Sequence, residues 1–437
     1  MKNETNMTKQ NKYLLYLMAA GLSILLILRD INGISVNKFI YFGYAVAFMA
    51  VANYQTLVQM ICFILPLVCG LPGTYIMPCA FLLLLIKRGD FKLVQIIPVM
   101  GILLMELFAA FWYPSTDFAA IIHYVFFAAV MIFLIQEDKL VDYDKCIVLY
   151  LLGTVILCYV ILNAAFANAP RNWLTLFAEG QFRIGDSHVG TSQMTLKLNA
   201  NSMAYYSLVG IACSLLLAEK RSGVKKVWYI MLVVFFAIVG FLTLSRSWLL
   251  VTGICFLLYV ISKLRRPRHF IPLLLVIVAI GALISLIFNK NPELLAGFNS
   301  RFDGETVEGA GGRIKIFENY MRAYFSDIRF VLFGTGVTQY STVAGMAGSI
   351  HNGTQQILVC CGIVGFFLYM VVLITPVLRV RCGRKLSMVY WLPLISIVMF
   401  VQTIQFLNPM MLMLPYVVGV YALRVGEQKN EIIFDNR

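Results

Sequence analysis

One histidine and three arginines, set in an otherwise apolar chain, are the residues best suited to chemistry. His351, one of four histidines, is followed by Asn352 at the start of a long apolar run. Arg313 follows Gly311-Gly312, Arg246 lies in Leu244-Ser245-Arg246-Ser247 between two apolar runs, and Arg183 lies in Gln181-Phe182-Arg183-Ile184-Gly185. An imidazole titrates near neutrality, so it can take a proton from a hydroxyl. A guanidinium offers a planar fork of donors that matches pairs of phosphate oxygens. One base and several fixed cations on a single face of a bilayer fit the handling of a phosphorylated, membrane-borne substrate.

Each residue also has a plainer reading. Arg246 sits in a hairpin too tight to be a solvated loop, which is also where a helix-end arginine snorkels to the membrane surface. Behind Arg313, Ile314, Phe317, Met321 and Tyr324 recur at helical spacing, giving a helix that Arg313 opens and whose apolar face lies on the membrane. An arginine there adds a cation to the unpaired N–H groups of a helix start, a natural anion site; it also suits an ordinary surface position. Lys315, Arg322 and Arg329 read as solvated or headgroup-facing. His351 and Asn352 sit where helices are capped, so Asn352 either orients the imidazole or caps the next helix.

Weaker candidates are His188 as an alternative base and a group of Glu106, Asp117 and His123 near the ends of two consecutive spans, which line a cavity or pair. Asp142-Tyr143-Asp144 mimics the metal-binding D-x-D of nucleotide-sugar transferases, but on a short loop with no nucleotide-binding domain attached. No H-E-x-x-H, Walker A or G-x-S-x-G sequence occurs. Chemistry without metal or other cofactor is therefore the expectation.

The elements that must position these residues are membrane helices. Of 437 residues, 60% are hydrophobic and 13% charged, more apolar surface than a water-soluble domain can hide. Candidate spans cover 13–28, 39–53, 56–69, 74–86, 94–113, 118–135, 146–166, 200–217, 227–244, 248–261, 270–288, 353–377, 388–404 and 410–423. Several are shorter than an upright crossing requires, so roughly twelve to fourteen transmembrane helices are expected. The fold class is all-α: one polytopic integral membrane helix bundle over residues 1–437. A smaller loop at 168–198 and a large loop at 289–352, carrying short helices, emerge from it. The first apolar run follows Lys2, Lys9 and Lys12 like a signal peptide but has no small-residue cleavage site behind it, so it reads as a retained span. Eight of the ten cysteines fall inside apolar runs, and Cys146 and Cys382 sit at span edges, so they read as packing residues.

Lysine and arginine placement orients the bundle. Lys87-Arg88, Lys220-Arg221, Lys225-Lys226, Lys263 with Arg265-Arg266, and Arg379 with Arg384-Lys385 all fall on segments of one face, and they account for nearly all of the formal net charge of +14. That face is cytoplasmic by the positive-inside rule, with both termini on it and both large loops outside. The basic balance is a topology signal and does not point to nucleic acid.

The order of the pieces resembles the O-antigen ligase and O-antigen polymerase superfamily of bacterial membrane glycosyltransferases, which share a Wzy C-terminal region. The matching pieces are Asn199-Ala200-Asn201 at a helix start, Ser245-Arg246-Ser247 at an outer hairpin and Gly312-Arg313 in the large loop. Phe333-Gly334-Thr335-Gly336, His351-Asn352 and Gly362-Ile363-Val364-Gly365 complete them. They cover a little under half the chain, from Arg183 to Gly365. Ser247 departs from the glycine common at that point.

The resemblance implies a donor of undecaprenyl pyrophosphate carrying an oligosaccharide, a glycan acceptor, and transfer at the outer face of the bacterial inner membrane without metal or nucleotide. It casts His351 as the base for the acceptor hydroxyl, and Arg246 and Arg313 as holders of the pyrophosphate. Arg183, Asn201 and Asn352 become substrate-binding residues. A flippase and a chain-length regulator are the implied partners. A polymerase joining lipid-linked repeats is the leading expectation, because it needs no dedicated second acceptor. A ligase moving the finished glycan to lipid A core, protein or wall polymer is the alternative within the class. A flippase or other transporter is the alternative outside it, and would string polar residues through the middle of several spans.

Overall fold

The computed structural model describes residues 2–88, 96–112, 117–136, 140–167, 169, 171–185, 198–264, 285–286, 289–293, 295–296, 299, 307–345, 350–380, 386–407 and 412–435. Every regular element among them is helical. The first half holds α1 (Lys2–Asp30), α2 (Lys38–Val51), α3 (Tyr54–Ile64), α4 (Gly73–Arg88), α5 (Ile97–Trp112), α6 (Phe118–Leu134), α7 (Tyr143–Ala167) and α8 (Trp173–Ala178). The second holds α9 (Ala200–Lys220), α10 (Gly223–Leu242), α11 (Arg246–Leu264), α12 (Val307–Phe325), α13 (Ile328–Phe333), α14 (Tyr340–Val343), α15 (Gly353–Arg379), α16 (Met388–Val401) and α17 (Tyr416–Asp435).

Among the described residues, α1, α7, α9, α10, α11 and α15 are long and apolar enough to cross a membrane. The protein is a polytopic membrane helix bundle. At its centre α9 is 89% buried over its apolar window, whereas α10 and α11 are 17% buried. The last two expose Trp228, Met231, Val234, Leu250 and Leu257 outward, as expected of helices apolar on every side and solvated by lipid. Many helices begin on an asparagine or aspartate whose side chain accepts from a first-turn N–H: Asn53, Asp117, Asn199 and Asn352 do so. Each cap satisfies one of the donors a helix start leaves unpaired.

Opposite charges gather at one end of the bundle. Asp144 at the start of α7 takes Lys220 at 2.7 Å and also Arg221 from the end of α9, while Lys263 of α11 pairs with Glu219. Asp142 receives the Lys145 backbone N–H and pairs with its ammonium at 2.7 Å. Asp144 is thus occupied in holding two helix ends together, and Asp142 in capping the first turn of its own helix. Arg424 of α17, 3% exposed, donates to the carbonyls of Ile135 and Gln136 at the end of α6.

Several span boundaries differ from expectation, two of them because of a proline, and one span is not described. The last span begins at Tyr416 rather than residue 410, directly after Pro415, whose fixed φ suits the start of a helix and whose ring cannot continue one; the helix then runs on to Asp435. The third begins at Tyr54 and ends in a 3-10 turn over Leu65–Leu67, where Pro66 has no N–H to give an α-helix. The expected span 270–288 falls almost wholly outside the described residues.

Candidate functional site

Two clusters form at the end of the bundle opposite the Asp144 network. The first surrounds the α10–α11 turn. Gly240 lets the Trp248 ring lie against the backbone, since a Cβ there would meet the indole at 2.1 Å, and this brings the two helices together within three linking residues. The turn is completed by Leu244 at φ 49°, a left-handed conformation in a buried non-glycine residue. Ser245 Oγ then accepts from Trp248 N at 3.4 Å and donates to Asn201 Oδ1 at 3.1 Å. Arg246 is therefore the first residue of α11 and half-buried beside this cap.

The segment carrying Arg183 lies against the same turn. Ile184 N donates to Leu242 O at 3.1 Å and Arg183 Nε to Thr243 O at 3.0 Å. Gly185, at φ 94°, passes close to the start of α9, where a Cβ would stand 3.0 Å from Ala200 Cα. Arg183, Asn201 and Arg246 thus share one small cluster at this end of the bundle. The alternative base His188 lies outside the described residues.

The second cluster surrounds the mouth of α15. Asn352 caps that helix, its Oδ1 accepting from Gln355 N at 2.9 Å, while its Nδ2 donates to Gln402 O at 3.2 Å. Asn352 thus caps rather than orienting the imidazole. Gln355 Nε2 donates to Phe317 O of α12 at 3.0 Å, and Tyr320 and Tyr324 of α12 bury themselves with Ile350 and Val359. These contacts bring Arg313 to His351. Partial desolvation and then the Arg313 guanidinium hold the His351 imidazole below its ordinary value. The side chain is nonetheless open to solvent, and the lowered value favours its neutral form, the one able to accept a proton.

Arg313 does not open its helix. α12 begins at Val307, two turns earlier, and Gly311-Gly312 lie within it. Each glycine costs about 1 kcal/mol relative to alanine in a helix interior, but unlike proline it keeps its N–H and does not break the ladder. The helix-terminus anion site expected at Arg313 is therefore absent, and the cation acts through its side chain alone. The apolar face also divides differently. Tyr320 and Tyr324 turn inward, while Ile314 and Phe317 stay exposed at 58% and 47%.

An open groove of about 420 Å³ leads away from this mouth between α12 and α15, with Asn352, Gln355 and Gln402 at one end and Phe317, Leu358 and Phe367 along it. The two clusters meet through the end of α16. Phe400 packs its ring 5.5 Å from that of Tyr205, one turn after Asn201, and Gln402 contacts Asn352 and Thr354.

A strap crosses α15 below the mouth. Thr335 N and Gly336 N donate to Val359 O and Cys360 O at 3.0 and 2.8 Å, beside a kink at Gly362 (φ 63°). Backbone meets backbone there: a Cβ on Gly362 would lie 2.4 Å from Leu332 O, and one on Gly334 2.1 Å from Cys360 O. Of the expected group of Glu106, Asp117 and His123, the first two bind elsewhere. Asp117 caps α6, and Glu106 accepts from Val337 N in the large loop. The partners Gln355 and Gln402 carried no signal in sequence beyond being polar residues at the ends of apolar runs.

A family model described as O-antigen ligase matches residues 231–370, from α10 to the middle of α15. The matched stretch contains Arg246, Arg313, the strap and His351, and leaves out Arg183, Asn201 and Glu106. It supports the O-antigen ligase and polymerase superfamily, whose members are glycosyltransferase-type enzymes acting on lipid-linked glycans in a membrane. No curated protein matches the chain.

Proposed function

We propose that this protein transfers an oligosaccharide from undecaprenyl pyrophosphate to a sugar hydroxyl at the outer face of the bacterial inner membrane, polymerising a surface polysaccharide. The observation that carries this reading is the pairing of an imidazole, His351, with a guanidinium, Arg313, next to a groove with Asn352, Gln355 and Gln402 at its mouth and apolar side chains beyond. Such a groove suits a ligand with an anionic head and a hydrocarbon tail.

In this reading the neutral His351 takes the proton of the acceptor hydroxyl as its oxygen attacks the anomeric carbon of the donor. The new C–O bond forms as the bond to the pyrophosphate oxygen breaks, and the electron pair leaves with undecaprenyl pyrophosphate. Arg313 stabilises the charge gathering on that leaving group, with Arg246 and Arg183 as further cations on the donor. Fixed cations in a low-dielectric cleft act far more strongly than in water, and they need no reorganisation during the reaction. Asn201 and Asn352 hold the two clusters in shape through Ser245 and Gln402. No step calls for a metal or a nucleotide. Both termini face the cytoplasm, and a flippase delivering the donor and a chain-length regulator are the expected partners.

The matched family description favours one second reading, ligation of a finished glycan to a different acceptor through the same donor site. Incubating the purified protein with its lipid-linked oligosaccharide and resolving the products on a gel tests both. A ladder supports the polymerase and a single transfer to a second acceptor supports the ligase. No product in either case overturns the assignment to glycosyl transfer in favour of transport.

A further inference from the structure

Glu106 stands apart from the chemistry above. It lies in α5, outside the family match, and is 2% exposed. A carboxyl group buried at that level is costly unless hydrogen-bonded. Its Oε2 accepts from Val337 N at 3.1 Å, directly after the strap, and the strap runs so close that a Cβ on Gly336 would lie 3.3 Å from the same oxygen. Among the described residues no lysine, arginine or histidine forms an ion pair with it. The bond joins residues 231 positions apart and is one of the points where a membrane helix of the N-terminal half grips the large loop.

What the strap holds gives this bond its consequence. Upstream it continues into α13, which is locked to α12 by Tyr324 Oη donating to Val331 O at 2.9 Å, and α12 carries Arg313. On its other face the strap donates to Val359 O and Cys360 O of α15, the helix that follows His351. We propose that Glu106 is a positioning residue whose carboxyl oxygen fixes the strap, and thereby sets Arg313 of α12 against His351 at the mouth of α15. A separate clasp keeps the loop attached to α5 whatever Glu106 does. Phe333 stacks on Phe108 at 5.7 Å and Arg329 lies over Trp112 at 5.7 Å. Losing the Glu106 bond therefore shifts the strap without releasing the loop. The role rests on the functional reading above only where activity is measured.

The test compares Glu106→Gln, which keeps a carbonyl acceptor, with Glu106→Leu, which removes it while suiting an apolar helix. The reporters are Cys360 and Cys361, both buried behind the strap. In full-length protein in lipid nanodiscs, Glu106→Leu should react faster with N-ethylmaleimide at these two cysteines, read by mass spectrometry, at an unchanged melting temperature. Its kcat should fall by about 10–100-fold, the scale of a displaced catalytic group, with the donor KM within a few-fold. Because Arg313 is the charged group acting on His351, the acid limb of its pH profile should also move to higher pH. Glu106→Gln should match the wild type in all of these. Unchanged labelling in Glu106→Leu, or a glutamine variant as impaired as the leucine one, overturns the proposal. If the wild type transfers no glycan, the labelling still decides: faster reaction in Glu106→Leu supports the latch and equal reaction overturns it, independently of the function assigned to the site.

Discussion

The Gln355 side chain donates to the Phe317 carbonyl at 3.0 Å, and this bond sets the spacing of the site. Arg313 lies four residues before Phe317 and His351 four residues before Gln355, so the contact brings the cation on α12 to the base ahead of α15.

Removing the guanidinium should therefore be legible in the pH dependence. Desolvation and Arg313 both push the His351 imidazole below its ordinary value, so in the wild type kcat/KM should rise with pH through an apparent pKa below about 6.5 and stay level through neutrality. Arg313→Gln takes away the repulsion that disfavours the imidazolium. Its acid limb should move to higher pH, alongside a lower plateau. An unmoved limb in the variant would separate the two residues.

His351→Ala removes the only proton acceptor at the α15 mouth in this account. It should reduce transfer to background, while the variant inserts and elutes as the wild type does on size-exclusion chromatography, since the helix cap belongs to Asn352. Arg246→Ala should cost on the order of 10²–10³ in kcat, the scale of losing one preorganised charge-stabilising donor. Transfer assays at saturating donor would reveal either variant as dispensable.

Gly362→Ala tests the kink. At φ 63° and ψ −175° the backbone of Gly362 lies in a region essentially reserved for glycine, where another residue costs roughly 1–3 kcal/mol, and the added methyl would lie 2.4 Å from Leu332 O, so the strap must move. The expected outcome is a lower melting temperature in detergent together with reduced activity. A fully active, equally stable variant would contradict the described contact between strap and kink.

Because the leaving group is stabilised by arginines in this mechanism, transfer should persist in EDTA. Loss of activity on chelation, restored by magnesium, would transfer that role to a metal.

Much of the fold could be read from the chain because lipid imposes a simple rule. Apolar runs became helices, and the asparagines at two of their starts, Asn199 and Asn352, became caps. The hairpin at Ser245-Arg246-Ser247 was also legible, since two apolar runs with so little between them leave room only for a turn. The start of α12 was misread because Gly311-Gly312 resembles a helix boundary, while tertiary burial of Tyr320 and Tyr324 carries the helix through it. The partner of Glu106 was hidden for a different reason. Its acceptor role depends on a backbone N–H 231 residues away, and no local pattern marks a backbone donor. The kink at Gly362 was visible only as a glycine in an apolar run, a signal shared by many ordinary packing glycines.

The central claim, glycosyl transfer by an imidazole base beside a guanidinium, is tested most directly with purified protein in nanodiscs, lipid-linked oligosaccharide and a sugar acceptor. Release of undecaprenyl pyrophosphate is measured together with elongated glycan for the wild type and His351→Ala. The account predicts both products in equal amounts from the wild type and neither from the variant. Equal turnover by the two proteins would contradict it.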